Sequence, residues 1–88
     1  MALMGAGMAA SGAKVFVATY ATFASMRICE QIRTFICYPN LDVKIVAGLS
    51  GLSGGQEGVT HQGIEDVGVL RSIPNLVIVE PADAASQK

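Results

Sequence analysis

The sequence predicts an α/β domain: a three-layer α/β/α arrangement with a mainly parallel sheet. Three observations predict it. Apolar runs rich in β-branched residues, "KVFVAT", "DVKIVAG" and "LVIVE", alternate with helix-forming stretches. The connections between those runs are long enough to cross over a sheet, which favours parallel strands. The first run has so little polar content that it reads as a strand buried on both faces.

Taken in order, Ala2 to Ala10 is small and apolar. It reads as a closely packed, buried helix ending at Gly12, a residue suited to a C-cap. Lys14 to Thr19 is the first strand. Thr22 to Cys37 is a helix, stopped by Tyr38-Pro39-Asn40. Asp42 to Gly48 is the second strand. A glycine-rich loop follows, then a helix from Thr60 to Arg71, stopped before Pro74. Leu76 to Glu80 is the third strand. Pro81 begins a turn, and "ADAASQK" opens another helix. In a sheet of this kind ligands sit outside the carboxyl ends of the strands. Two places qualify: Thr19 to Phe23, and Gly48 to His61.

Composition bounds the function. At 88 residues the chain makes at most one small domain, yet 51 % of it is hydrophobic and mean hydropathy is +0.47. That is more apolar surface than so small an interior takes up. The surplus either covers a partner subunit or belongs to something larger. Six basic and seven acidic residues are spread evenly, so no electrostatic footprint for nucleic acid exists. The start is apolar but lacks an early positive charge, unlike a secretory signal, and it is too short and glycine-rich to span a membrane. The expected location is cytoplasmic. Cys29 and Cys37 lie about 12 Å apart along one helix at the usual rise, too far for a disulfide.

Several short motifs carry little. "GAGMAA", Gly5 to Ala10, matches a dinucleotide fingerprint only formally, because it precedes a strand rather than following one. Close helix packing explains it. "GLSGLSGG" lacks the lysine and hydroxyl of a P-loop. On the helix from Thr22 to Cys37, at 100° per residue, Ile28, Cys29, Ile32, Phe35 and Ile36 share one arc. Ser25 falls inside that arc, where its hydroxyl can bond the backbone one turn back. Phe23 and Met26 fall opposite, with Tyr20 just upstream. Those side chains either pack against a neighbouring element or form a flat wall for a planar ligand. His61, the single histidine, is expected in the first turn of its helix, where the positive dipole end disfavours imidazolium. It is either a functional group or a capping, solvated one. Glu65 and Asp66 project about 100° apart and read as dipole partners of that helix, not as a carboxylate pair.

At "TYATFASMRICEQIR", "YPNLDVKIV", "GxEGVTHQGIED" and "LRSIPNLVIVEPADA" the chain resembles transketolases, and more narrowly their pyrimidine-binding domain. The likeness runs over almost the whole chain and is nearest to the separately encoded C-terminal halves. It implies the thiamine diphosphate-binding fold, present as an incomplete domain over residues 1–88. It implies ketol transfer between sugar phosphates, with thiamine diphosphate as cofactor. The Mg²⁺ or Ca²⁺ would be held by an N-terminal diphosphate-binding domain or subunit absent from this chain. The implied partners are that subunit, a sugar phosphate and further copies in an oligomer.

By the same resemblance, Tyr20 and Phe23 hold the aminopyrimidine ring, and Met26 falls on a neighbouring position. His61 contacts the sugar substrate or its intermediate. Glu57, four residues before it, contacts substrate hydroxyls. Three departures stand out. Glu57 replaces the family's usual aspartate. Leu49 stands where the family has another histidine. The family's activating glutamate would fall about two or three residues ahead of Met1, so the 88-residue chain alone is expected to be inactive. Two rival readings remain: a 1-deoxyxylulose-5-phosphate synthase, and a non-catalytic binding or assembly module with the same fold.

Overall fold

Nine residues, none branched at Cβ, form helix α1, Ala2–Ala10, in the computed structural model, which describes residues 1–87. The helix stops as expected. Gly12 takes φ +93°, its N–H reaches back to the Ala9 carbonyl at 2.9 Å, and that of Ala13 reaches Met8 at 3.1 Å. This bond pair is a Schellman cap, which needs a left-handed residue where glycine stands. Only one face of α1 is buried, through Ala2, Gly5 and Ala6, while Leu3, Met4 and Met8 are exposed. The burial expected for the whole helix is therefore confined to one side. Gly5 is the point of contact with the sheet. A Cβ there would lie 2.9 Å from Val17 Cγ2 and 3.2 Å from Val15 Cγ1.

Strands β1, Val15–Tyr20, and β2, Val43–Gly48, pair in parallel, in register from Val15↔Val43 to Tyr20↔Gly48. The α/β class and the parallel sheet are as expected. The burial of β1 is not. Val15 and Val17 are buried, but Phe16 between them is 71 % exposed. Side chains alternate across a sheet, and α1 reaches only the valine face. Phe16, Ala18 and Val46 line an open apolar face on the other side.

The stretch after β1 is helical but not a regular α-helix. Wider π turns, Phe23–Arg27 and Ile32–Cys37, flank a short α segment α2, Cys29–Gln31, with a break at Ile28 (φ −113°, ψ 16°). This changes the core stripe. In a π turn the bond runs from i to i+5, so residues i, i+4 and i+5 share a face. Ile32, Ile36 and Cys37 are accordingly buried, and Phe35, expected in the stripe, is 45 % exposed. Ser25 behaves as expected: it is buried and donates its hydroxyl to the Thr22 carbonyl at 3.2 Å. The core unites Ala6, Ile32, Ile36, Cys37 and Ile73, with Val43, Ile45 and Leu70 packed against it. Burial pushes the Cys37 thiol up from its ordinary range, as suits an unreactive packing residue.

Two expected elements differ. The helix expected over Thr60 to Arg71 is only α3, Asp66–Leu70. The residues before it are held in turns, because Gly63 exchanges backbone bonds with Gly51 instead of entering a helix. Leu76 to Glu80 forms no strand among the described residues. It runs beside the free edge of β2 across an open cleft of about 450 Å³. The helix expected at "ADAASQK" is, as far as Gln87, a turn closed by Asp83 and Ser86, and Lys88 lies outside the described residues. Bonds from Ser86 hold the Asp83 carboxyl below its ordinary range. Among the described residues no helix is long and apolar enough to cross a membrane.

Candidate functional site

The site begins where β1 ends. Tyr20 closes the strand and Phe23 opens the first π turn, three residues later. That spacing brings the two rings together, 5.9 Å between centroids and 27° between planes. With Ala18, Thr19, Val46 and Gly48 they line a shallow, mostly apolar crevice of about 460 Å³ at the carboxyl ends of both strands. This is where an open parallel sheet binds ligands. The Arg27 guanidinium lies 4.6 Å from the centre of the Phe23 ring, a cation–π contact.

The opposite side of the site comes from the glycine-rich loop. Gly51 and Gly63 bond to each other twice, each N–H reaching the other's carbonyl at 3.1 Å. The loop is thereby closed at its base. Asp66, buried, strengthens the clasp: its Oδ2 accepts from the Gly51 N–H at 3.4 Å and its Oδ1 from the Val67 N–H at 2.8 Å. Gly63 must remain small there, because a Cβ would lie 3.2 Å from Thr22 and from Asp66 Oδ2. Inside the loop, a 3₁₀ turn at Gly55–Glu57 is followed by Gly58 at φ +79°. The Gly58 carbonyl accepts the His61 N–H at 3.1 Å.

This folding sets the imidazole of His61 edge-on to both aromatic rings, 5.5 Å from Tyr20 and 5.1 Å from Phe23, at 70° and 71°. Its Nε2 stands 3.6 Å from Oε2 of Glu57. The other oxygen of Glu57 accepts from the Tyr20 hydroxyl at 3.4 Å. Nδ1 of His61 meets Thr60 Oγ1 at 2.9 Å. Tyr20, Phe23, Glu57 and His61, singled out separately in the sequence, thus form one cluster. Met26 is exposed and does not line the crevice. Leu49 sits just beyond β2 with φ +53°, a strained conformation for a branched residue.

His61 lies in a turn and not in the first turn of a helix, so the expected effect of a helix dipole on it does not apply. Two contributors were missed in the sequence. Asp66 reads there as a helix-terminus charge, and nothing local reveals its reach across to Gly51. Thr60 precedes His61 directly, which hints at contact without fixing it. "GAGMAA" lies in α1 and packs on the sheet through Gly5, as expected of a packing motif.

An apolar wall at the carboxyl ends of parallel strands, faced by a carboxylate and an imidazole, stands where α/β domains bind ligands. The family model for the transketolase pyrimidine-binding domain matches residues 1–88, and the chain belongs to that family, whose domain binds thiamine diphosphate. The chain is 45 % identical over 80 residues to a putative transketolase C-terminal section of Methanocaldococcus jannaschii, covering 91 % of this chain and 25 % of the relative. It is 39 % identical over 80 residues to a 6-deoxy-6-sulfo-D-fructose transketolase subunit of Clostridium sp., again 91 % and 25 %. It is 48 % identical over 80 residues to the 1-deoxy-D-xylulose-5-phosphate synthase of Bacillus anthracis, covering 91 % and 12 %. A solved structure of a split-gene transketolase, an inactive beta4 tetramer, superposes with TM-score 0.80 at 43 % identity, over 94 % of this chain and 26 % of that one. The chain thus spans 12 to 26 % of the length of these proteins.

Proposed function

We propose that residues 1–88 form part of the pyrimidine-binding domain of a transketolase-type enzyme that moves a two-carbon ketol unit between sugar phosphates. The single observation that carries this reading is the cluster of Tyr20, Phe23, Glu57 and His61 at the carboxyl ends of β1 and β2. The residues fit the aminopyrimidine ring of thiamine diphosphate, because the Tyr20 and Phe23 rings, 27° from parallel, line an apolar surface. These two would hold the ring, with Met26 at the margin. When bound, that cofactor supplies carbanion stabilisation.

In this reading the chain's own residues bind and orient. Glu57 accepts from sugar hydroxyls. Its side chain is one methylene longer than the family's usual aspartate, and the Tyr20 hydroxyl steadies the carboxylate. His61 is the catalytic residue and donates a hydrogen bond to a substrate oxygen as negative charge develops there. The aromatic wall excludes water from one side of the reacting groups. The residues that hold the diphosphate and its Mg²⁺ or Ca²⁺ would belong to an N-terminal domain or subunit, and the activating glutamate to chain outside these residues. Assembly with that subunit and with further copies would cover the open face of Phe16 and Val46. The tetramer formed by the similar split-gene protein supports such assembly.

The test is His61→Ala in the complete enzyme, with melting temperature, cofactor affinity and kcat/KM measured together. Folding is expected to change by less than about 0.5 kcal/mol, as for a part-exposed side chain outside the core. The value of kcat/KM is expected to fall on the order of 10²-fold, the usual cost of one such donor. A large loss of stability with proportionate loss of activity would make His61 structural.

A second reading is favoured by the 48 % identity to the Bacillus anthracis synthase. Product analysis separates the two. Release of 1-deoxyxylulose 5-phosphate by the complete enzyme supports the synthase, and a ketose phosphate that is two carbons longer than the acceptor and carries a hydroxyl on C1 supports transketolase.

A further inference from the structure

We propose that Arg27 is a positioning residue for the aromatic wall: its guanidinium, laid on the Phe23 ring from outside the crevice, holds that ring in place. Phe23 opens the π turn and Arg27 closes it. The Ile28 N–H reaches the Phe23 carbonyl at 3.1 Å, so the two residues share a face of the turn. That spacing carries the long Arg27 side chain back over the ring, 4.6 Å from its centre. The negative face of a phenyl ring attracts a cation there, and a planar guanidinium can lie along it. Among the described residues no carboxylate is paired with Arg27, so the ring is the partner of this charge. Phe23 lines the crevice and Arg27 does not. The guanidinium therefore supports the wall without being part of it.

The support matters because Phe23 is only half-buried. A ring with solvent beside it has other orientations open to it, and ordering it costs binding energy when a flat ligand arrives. Tyr20 and His61 restrain the ring through aromatic contacts at 5.9 and 5.1 Å. Arg27 adds the one contact that depends on charge. Its effect on ligand binding is bounded by the weight of that contact. A charge near the crevice has a second way to help: it attracts an anionic ligand such as thiamine diphosphate at long range. That attraction does not need the ring, so the two effects separate when the ring is removed. The effect on the cofactor rests on the role proposed above for Phe23; the contact between Arg27 and Phe23 does not.

The experiment is a double-mutant cycle in the complete enzyme. Arg27→Gln keeps length and a flat polar end without the charge, and Phe23→Leu keeps apolar bulk without the ring. The two are made singly and together, with Arg27→Lys as the variant that keeps the charge. Thiamine diphosphate affinity is read by calorimetry with Mg²⁺ present, and the urea midpoint is read on the cofactor-free protein. Arg27→Gln is expected to weaken the cofactor by about 2- to 5-fold, the weight of an exposed cation–π contact. Arg27→Lys should lose less, and Arg27→Gln should cost nothing further once Phe23→Leu is present. An equal loss with and without the ring would make Arg27 a general attractor of anions, and an unchanged affinity in Arg27→Gln would make it a solvated charge; either result overturns the proposal. If Phe23→Leu alone binds the cofactor as tightly as the unsubstituted enzyme, the role proposed above for Phe23 fails instead. The urea midpoint then decides the contact by itself: Arg27→Gln must lower it with the ring present and leave it unchanged without the ring, and any other result overturns the proposal.

Discussion

Gly51 to Gly63 and Leu76 to Glu80 differ in how their backbone groups are satisfied. The first stretch is rich in glycine and hydroxyl side chains. Its base is nevertheless held by the Gly51–Gly63 bond pair and by the Asp66 carboxylate, and its interior by bonds from Glu57 to Gly54 and from His61 to Gly58. The second stretch is apolar and β-branched, yet Val77 and Val79 are 84 % and 79 % exposed. Among the described residues, no backbone bond ties Val77 to Glu80 to the sheet. Partners for N–H and C=O thus order a segment, and hydropathy alone does not. The closed base also fixes where Glu57 and His61 stand.

The largest effect is expected from Asp66→Ala. It leaves the Gly51 and Val67 N–H groups without their carboxylate, which is expected to cost roughly 1–3 kcal/mol of stability. Urea unfolding would measure it, and amide exchange should show lost protection at Gly51 and Gly63. A change below about 0.5 kcal/mol would mean that the glycine pair closes the loop unaided.

A smaller effect concerns what the loop faces. In the complete enzyme, Phe23→Ala is expected to weaken thiamine diphosphate binding by roughly 1 kcal/mol, the worth of an aromatic contact. Phe35→Ala serves as the comparison, because Phe35 is on the surface, away from the crevice. Calorimetric titration of both variants decides it. Equal affinities would return Phe23 to ordinary packing.

The smallest effect belongs to the second stretch. Val77→Thr in this chain should change stability by less than about 0.5 kcal/mol, as exposed substitutions usually do, and the amides from Val77 to Val79 should exchange freely. Strong protection there would show that the segment has found a strand to pair with, and the contrast with the loop would vanish.

Much of the fold was legible in the sequence because it depends on near neighbours. The cap at Gly12 follows from one residue's freedom at positive φ. The two paired strands follow from β-branched runs, and the stop at Tyr38-Pro39-Asn40 from proline. Phe35 was misplaced because the helix there is a π turn, and an arc drawn at 100° per residue does not track it. The extent of the last helix was misjudged because Gly63 bonds to Gly51, twelve residues earlier, and not up its own helix.

For the site, the choice of candidate side chains needed no coordinates: Tyr20, Phe23, Glu57 and His61 stood out by type, position and family resemblance. That they meet, and that Thr60 contacts His61 while Asp66 bonds to Gly51, is visible in the folded chain alone. The reason is physical. Residue type is local information, whereas a ring 5.1 Å from another, 38 positions along the chain, exists only once β1 and the clasped loop are brought together.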